Sequence, residues 1–132
     1  MPLTIGPRLR SFFDEKLAAI ITTVNDRGTP EMTPLWYEFD GTHIRINGDK
    51  ARVWMSRMET SGRATFFVMD PSNLWRWAQV YGKVVEASED PGGDHINSLS
   101  HRYNNRDYPG DRSTRRWLKV EITSVRPSCA EG

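Results

Sequence analysis

The sequence predicts a mainly β domain of the α+β type, in which six antiparallel strands curl toward a barrel and short helices flank the sheet. Three observations carry this. Runs rich in β-branched and aromatic residues recur along the chain, and Asn, Asp, Gly and Pro clusters suited to hairpins separate them. No regular strand-helix-strand alternation, the pattern that builds a parallel sheet, is visible. At 132 residues the chain fits one domain, residues 1–132, with a single modest core. A sheet of that size over a thin core tends to close on itself.

The elements follow in order. From Arg8 to Lys16, Leu9, Phe12 and Phe13 stand at i, i+3 and i+4, which predicts a short amphipathic helix that packs on the domain. LAAIITTV then reads as a strand, and Asn25-Asp26-Arg27-Gly28 as the tight turn that closes it. The segment MTPLWYEF alternates Leu35, Tyr37 and Phe39 with Trp36 and Glu38, and Asp40-Gly41 joins it to THIRIN, where Ile44 and Ile46 alternate with polar residues. Pro34 cannot donate to a ladder, so this second strand is expected to be bulged or at an edge, with backbone groups open to a planar ligand.

Between Lys50 and Thr60, Ala51, Met55 and Met58 mark the apolar stripe of a crossover helix, the methionines reading as core. Two further strands follow: ATFFVM, ended by Asp70-Pro71-Ser72-Asn73, and LWRWAQVYGKVVE, whose Trp75, Trp77, Gln79 and Tyr81 share one face. That aromatic row needs a partner. After Asp90-Pro91-Gly92-Gly93, the spacing of Ile96, Leu99 and Tyr103 predicts a short helix, the polar stretch NNRDYPGDRST a surface loop, and WLKVEITSV a last strand stopped by Pro127.

Composition narrows the function. Eighteen basic against seventeen acidic residues leave a net charge of +1, too little for the broad positive field that nucleic-acid binding requires. Cys129 is the single cysteine, so no intramolecular disulfide forms, and a reducing compartment is the simpler setting. The start, MPLTIGPRLRSFF, lacks a signal-type apolar region, and no run approaches the ~20 apolar residues of a membrane span. The expectation is a cytoplasmic protein with neither membrane nor nucleic-acid partners. Hydrophobic residues make up only 37% while aromatics are plentiful, so some large rings are expected to cover a ligand or a second subunit.

No familiar catalytic signature is present. His43, His95 and His101 lack the spacing that puts two ligands on one helical face, and there is no thiolate pair, so no metal is expected. Gly48-Asp49-Lys50 lacks the rest of a phosphate loop, and neither GxGxxG nor GxSxG occurs. What remains is the junction NGDKAR, where a strand gives way to a helix. Here Asn47, the flexible Gly48, the backbone N–H groups through Ala51, and the cations Lys50 and Arg52 could hold an anion such as a phosphate. The alternative is that Lys50 and Arg52 are solvated surface charges.

The runs LAAIITTVNDRGTPEMTPLWYEFDG, IRINGDKARVWMSRMETSGRATFFV and WRWAQVYGKVVE together resemble the core of the pyridoxamine-phosphate-oxidase-like split barrels, the FMN-binding split-barrel fold. HINSLSHRYNNRDYPG is similar to a helix and loop of the branch called B-type flavin/deazaflavin oxidoreductases, which uses coenzyme F-420. The resemblance covers most of the chain. It implies a homodimer with a cofactor ring in a groove between two barrels, Thr33, Pro34, Leu35 and Trp36 at the ring, and Asn47, Lys50 and Arg52 at the phosphate. Trp75 and Trp77 match an aromatic pair that closes the groove from the other subunit.

One departure stands out. Many relatives carry lysine two positions after the arginine and an Asn-Leu pair beyond it, where this chain has Trp54 and Arg57-Met58. Loss of one phosphate cation removes a charged hydrogen bond of about 1.5–3 kcal/mol unless another group compensates.

The function implied is hydride transfer from reduced F-420 to a small unsaturated organic substrate, with Tyr37 or Trp36 orienting that substrate and no protein acid or base assigned. FMN in the same groove, serving a flavin oxidoreductase, is one alternative. A non-catalytic cofactor-binding protein whose tryptophan face makes only a dimer contact is another.

Overall fold

The computed structural model describes residues 3–128. Cys129 therefore lies outside the described residues. Helix α1 (Pro7–Asp14) leads into β1 (Ala18–Val24), β2 (Pro30–Leu35), β3 (Tyr37–Phe39) and β4 (His43–Asp49). Helix α2 (Val53–Ser61) crosses to β5 (Arg63–Asp70) and the long β6 (Asn73–Glu89). A single 3-10 turn, helix α3 (Asp94–Asn104) and β7 (Arg115–Pro127) complete the chain. All strand pairs are antiparallel, in the order β2-β1-β5-β6-β7-β4-β3.

The sheet has seven strands rather than the expected six because the MTPLWYEF segment breaks at Trp36. Its first half pairs with β1, placing Pro34 opposite Ile20, and its second half pairs with β4, placing Tyr37 opposite Ile46. These are opposite edges of the sheet. A single residue bridges them, which requires the sheet to curl until its two edges approach. Alternation in a sequence records which way side chains point and carries no information on which neighbour each half pairs with. Pro34 sits in an edge strand, where a missing N–H costs no ladder bond.

The core fills the inside of this curl. Phe12 and Phe13 of α1 seal one end, and Ile21, Ile44, Ile46, Phe66, Val80 and Leu118 line the interior with Met55 and Met58 of α2. Ala51, by contrast, is exposed and precedes α2. The helix starts late because Asp49 folds the junction into a turn: its carboxylate accepts the Ala51 N–H (2.8 Å) and its carbonyl accepts the Arg52 N–H (3.0 Å). Gly62 ends α2 in the left-handed region (φ 70°), its N–H returning to the Met58 carbonyl at 2.8 Å.

Irregularities in the β6–β7 pairing at Tyr81/Gly82 and Val84/Glu86 add the local twist that a closing sheet needs. Arg102 pins α3 to the end of α1, donating to the carbonyls of Tyr37 (3.0 Å), Asp14 (3.3 Å) and Glu15 (2.8 Å). Among the described residues no helix is long and apolar enough to cross a membrane.

Candidate functional site

A cavity of about 700 Å³ opens where β2, Trp36, the end of β4, the start of α2 and the helix α3 converge. Its floor is the junction of β4 and α2. Gly48 is needed there for close approach: a Cβ at this position would lie 2.5 and 2.7 Å from Cζ2 and Cη2 of Trp54, so the indole rests directly on the strand backbone. Trp54 is thus packed and half-buried at the cavity wall.

A second wall is aromatic. Trp36 stacks on Tyr103 with centroids 5.4 Å apart and planes 12° from parallel, and Tyr108 meets Trp36 edge-on at 6.5 Å. The Tyr103 hydroxyl donates to the Leu17 carbonyl at 2.8 Å and accepts the Tyr37 N–H at 3.3 Å. Burial pushes its pKa up. Tyr103 is therefore a fixed, neutral wall residue rather than a proton donor.

The charged end is organised by a buried polar chain. Glu38 Oε1 lies 2.7 Å from His95 Nε2; a carboxylate accepts, so the imidazole donates from Nε2 and leaves Nδ1 as an acceptor. Asn47 Nδ2 then donates to His95 Nδ1 (2.9 Å) and to Asp90 Oδ2 (3.0 Å). This fixes the amide so that Asn47 Oδ1 accepts Nε–H of Arg115 at 2.9 Å. Burial opposes ionisation of Asp90, yet donation from the His95 and Ile96 amides and from Asn47 outweighs it and holds the carboxyl below the usual range. The hydrogen bond from His95 does the same for Glu38 against its partial burial.

Asp49 also lines this end. Donation from the Thr114 hydroxyl and the Ala51 amide keeps its carboxyl below the usual range, so it is an anion and not an acid at neutral pH.

The sequence-derived site residues divide cleanly. Thr33, Pro34, Leu35, Trp36, Asn47, Gly48 and Arg52 all line the one cavity. Lys50 and Ala51 do not; both are exposed, and their amides are already bonded to the Thr114 carbonyl (2.9 Å) and the Asp49 carboxylate (2.8 Å). The amide of Trp54, at the start of α2, has no partner among the described residues. Asn47 lines the cavity with its side chain spent on internal bonds, so it positions Arg115 rather than offering itself.

Trp77 stands apart from the cavity, stacked on Phe67 at 5.4 Å with the Arg126 guanidinium 5.2 Å from its ring. Trp75 is 80% exposed. Tyr37 is fully buried and its hydroxyl donates to the Phe13 carbonyl at 2.8 Å, so it cannot orient a substrate. Sequence reasoning missed Tyr108 and Arg115. The available signal was weak: an aromatic inside a polar loop, held to α3 by the bond of its N–H to Asn97 Oδ1, and a basic residue at a strand start, joined to the junction by the long-range pairing of β4 with β7.

The cavity and its curled sheet agree with the comparisons. A family model described as pyridoxamine 5'-phosphate oxidase matches residues 5–129. Among solved structures, one described as an F420 reductase is 26% identical, with a TM-score of 0.80 over 89% of this chain and 94% of that one. A conserved hypothetical protein of Mycobacterium tuberculosis is 17% identical, with a TM-score of 0.71 over 96% and 86% of the two chains. General Stress Protein 26 of Bacillus anthracis is 12% identical, with a TM-score of 0.67 over 92% and 91%. No curated protein sequence matches. A family match spanning almost the whole chain, on a split and curled antiparallel sheet, places this protein in the pyridoxamine 5'-phosphate oxidase family.

Proposed function

We propose that the chain is a cytoplasmic oxidoreductase that uses reduced coenzyme F-420 to pass hydride to a small unsaturated organic substrate. The observation that carries this reading is a cavity with an aromatic wall and a guanidinium end, in a chain 26% identical to a structure described as an F420 reductase. A planar ring with an anionic tail matches that polarity.

When bound, the reduced deazaflavin supplies the hydride; the protein binds, orients and excludes water. Trp36, backed by Tyr103, offers a flat face for a ring, and the outward groups of edge strand β2 around Thr33 and Leu35 lack ladder partners. Arg52, Arg115 and the Trp54 amide suit the tail. The Tyr108 hydroxyl has no hydrogen-bond partner among the described residues and is the candidate donor to a substrate carbonyl. Titration of the purified protein with F-420 tests the reading: binding in the micromolar range is expected, and none at high micromolar concentration refutes it.

The family description itself favours a second reading, FMN in the same cavity. A preparation that is bright yellow with flavin absorbance supports FMN; a colourless one that takes up F-420 supports the deazaflavin.

The working unit in this reading is a homodimer. Trp75, Leu74 and Met32 are large exposed apolar side chains, and a second subunit that places Trp75 over the cavity mouth accounts for that exposure. Light scattering is expected to give twice the chain mass, and Trp75→Ser to weaken the assembly; a monomer at all concentrations removes the shared groove.

A further inference from the structure

We propose that Asn97, in the middle of α3, is the positioning residue for Tyr108: it clamps the loop of residues 105–114 so that the tyrosine hydroxyl is held at the cavity. The inference rests on the reading of Tyr108 as the donor that meets a substrate carbonyl.

The clamp is a polar stripe on one helical face. Asn97, Ser100 and His101 stand at i, i+3 and i+4, and each bonds to the loop that follows the helix. Ser100 Oγ donates to the Arg106 carbonyl at 2.7 Å, and His101 Nε2 lies 2.7 Å from Asp107 Oδ1. Asn97 takes two consecutive residues: Nδ2 donates to Asp107 Oδ1 at 3.2 Å, and Oδ1 accepts the Tyr108 N–H at 2.8 Å. The amide cannot turn round, because its oxygen would then face a carboxylate and its NH₂ an N–H. Asp107 stays an acceptor, since the bonds from His101 and Asn97 hold its carboxyl below the usual range. The His101–Asp107 pair is exposed and solvent-screened, which leaves Asn97 as the group that grips the tyrosine itself.

The rest of the seat fixes the ring. Pro109 follows Tyr108 and restricts its backbone to extended conformations. A Cβ on Gly110 would lie 2.7 Å from Cε2 of Tyr108 and 2.8 Å from its Cζ and its hydroxyl oxygen, so the ring rests on the loop backbone. Gly110 is not in the left-handed region, and contact with the ring is what a side chain there would disturb. Trp36 and Arg115 bound the other sides of the ring. Asparagine is a poor residue for a helix interior because its amide competes for nearby backbone, and here that amide is turned onto the loop instead.

The test compares the wild type, Asn97→Ala, Tyr108→Phe, the double variant and the control Ser98→Ala, an exposed position of α3. Three quantities are measured: hydrogen exchange of the Tyr108 amide, the dissociation constant for F-420, and kcat and KM for reduction of cyclohexenone by reduced F-420. Asn97→Ala is expected to speed exchange at Tyr108 at least about tenfold and to leave the F-420 constant within about threefold of wild type. A hydroxyl that meets charge developing on a carbonyl oxygen acts in the transition state, so kcat should fall about three- to tenfold with KM within about twofold. The double variant should lie within about twofold of Tyr108→Phe, because a residue that acts through the hydroxyl has no effect once the hydroxyl is gone. Asn97→Asp, which keeps an acceptor for the Tyr108 N–H, should recover most of the loss, and Ser98→Ala should match the wild type.

Should Asn97→Ala not fold, Gly110→Ala carries the test. Its methyl displaces the ring and spares the Asn97 bond, so the same fall in kcat is expected with exchange at Tyr108 unchanged. Losses that multiply in the double variant, unchanged exchange at Tyr108 in Asn97→Ala, or an equal fall in F-420 affinity overturn the inference and leave the cofactor reading standing. A wild type that takes up F-420 and does not reduce cyclohexenone removes the role of Tyr108 and this inference with it. A wild type that takes up no F-420 removes the cofactor reading as well.

Discussion

Replacing Gly48 with alanine tests the contact that shapes the cavity floor. The new methyl would sit 2.5 Å from Trp54 Cζ2, 2.7 Å from Cη2 and 3.1 Å from Met55 Cε. Carbon atoms pack comfortably at about 3.5–4.0 Å, so the indole must retreat by about 1 Å or the strand must shift. Overpacking of this kind costs about 1–3 kcal/mol. The backbone at Gly48 is ordinary strand, so loss of unfolded-state freedom returns about 0.4–1 kcal/mol. The net expectation is a loss of about 1–2 kcal/mol, read as a lower midpoint in urea at unchanged slope. The cause is isolated by Trp54→Leu, which removes the ring: in that background Gly48→Ala is expected to be neutral or mildly stabilising. Additive effects of the two changes, within about 0.5 kcal/mol, would refute the proposed collision.

Tyr37→Phe strips the buried Phe13 carbonyl of its donor and is expected to cost about 1–2 kcal/mol in thermal or urea unfolding. Burial raises the Tyr37 pKa above its unfolded value of about 10. That contribution is fully present below pH 10 and is lost as pH rises toward the folded value, so the variant should show a flatter alkaline limb. Glu38, Glu59 and Asp90 all have lowered folded pKa values, the Glu59 shift coming from its two-pronged bond with Arg116 (2.7 and 2.8 Å). Their stabilisation is present above about pH 4 and drains away as pH falls through the lowered values, so the urea midpoint should drop steeply below pH 4. Glu59→Gln should blunt this by less than about 1 kcal/mol, because the pair is solvent-screened. Trp77→Ala, which deletes the stack on Phe67, should lower the free energy of unfolding by about 1–3 kcal/mol; no loss would show that the stack is idle.

Much of this architecture was legible because it is local. The hairpin turn after β1 and the core stripe of Met55 and Met58 each depend on residues within one or two turns of one another. The edge position of β2 was legible for the same reason, since a proline in an alternating strand marks an edge, whereas Thr33 to Trp36, which line the cavity, were singled out as a set through the family resemblance. The cation end was not. Lys50 looked equivalent to Arg52, yet its N–H is tied to Thr114, a residue far along the chain, and this leaves its side chain in solvent. Arg115 reaches the site only through the β4–β7 register, which sets it opposite Asp49. Nothing nearby in sequence encodes that register. The two tryptophans of β6 shared a face as expected, but only the register with β5 shows that Trp77 is spent on Phe67 while Trp75 is not.

The break at Trp36 has a mechanical consequence. Strands β2 and β3 are the two outermost members of the sheet and share no ladder, so the barrel wall there is a seam joined by one peptide unit. The cavity sits on that seam. Its bore can therefore widen by rotation about the backbone flanking Trp36 without rupturing a single interstrand bond, whereas anywhere else around the wall the same dilation would tear a ladder open. Amide hydrogens on the outer side of β2 should exchange with solvent far sooner than those of β5 or β6, and a cavity placed at so compliant a point can admit ligands of differing girth.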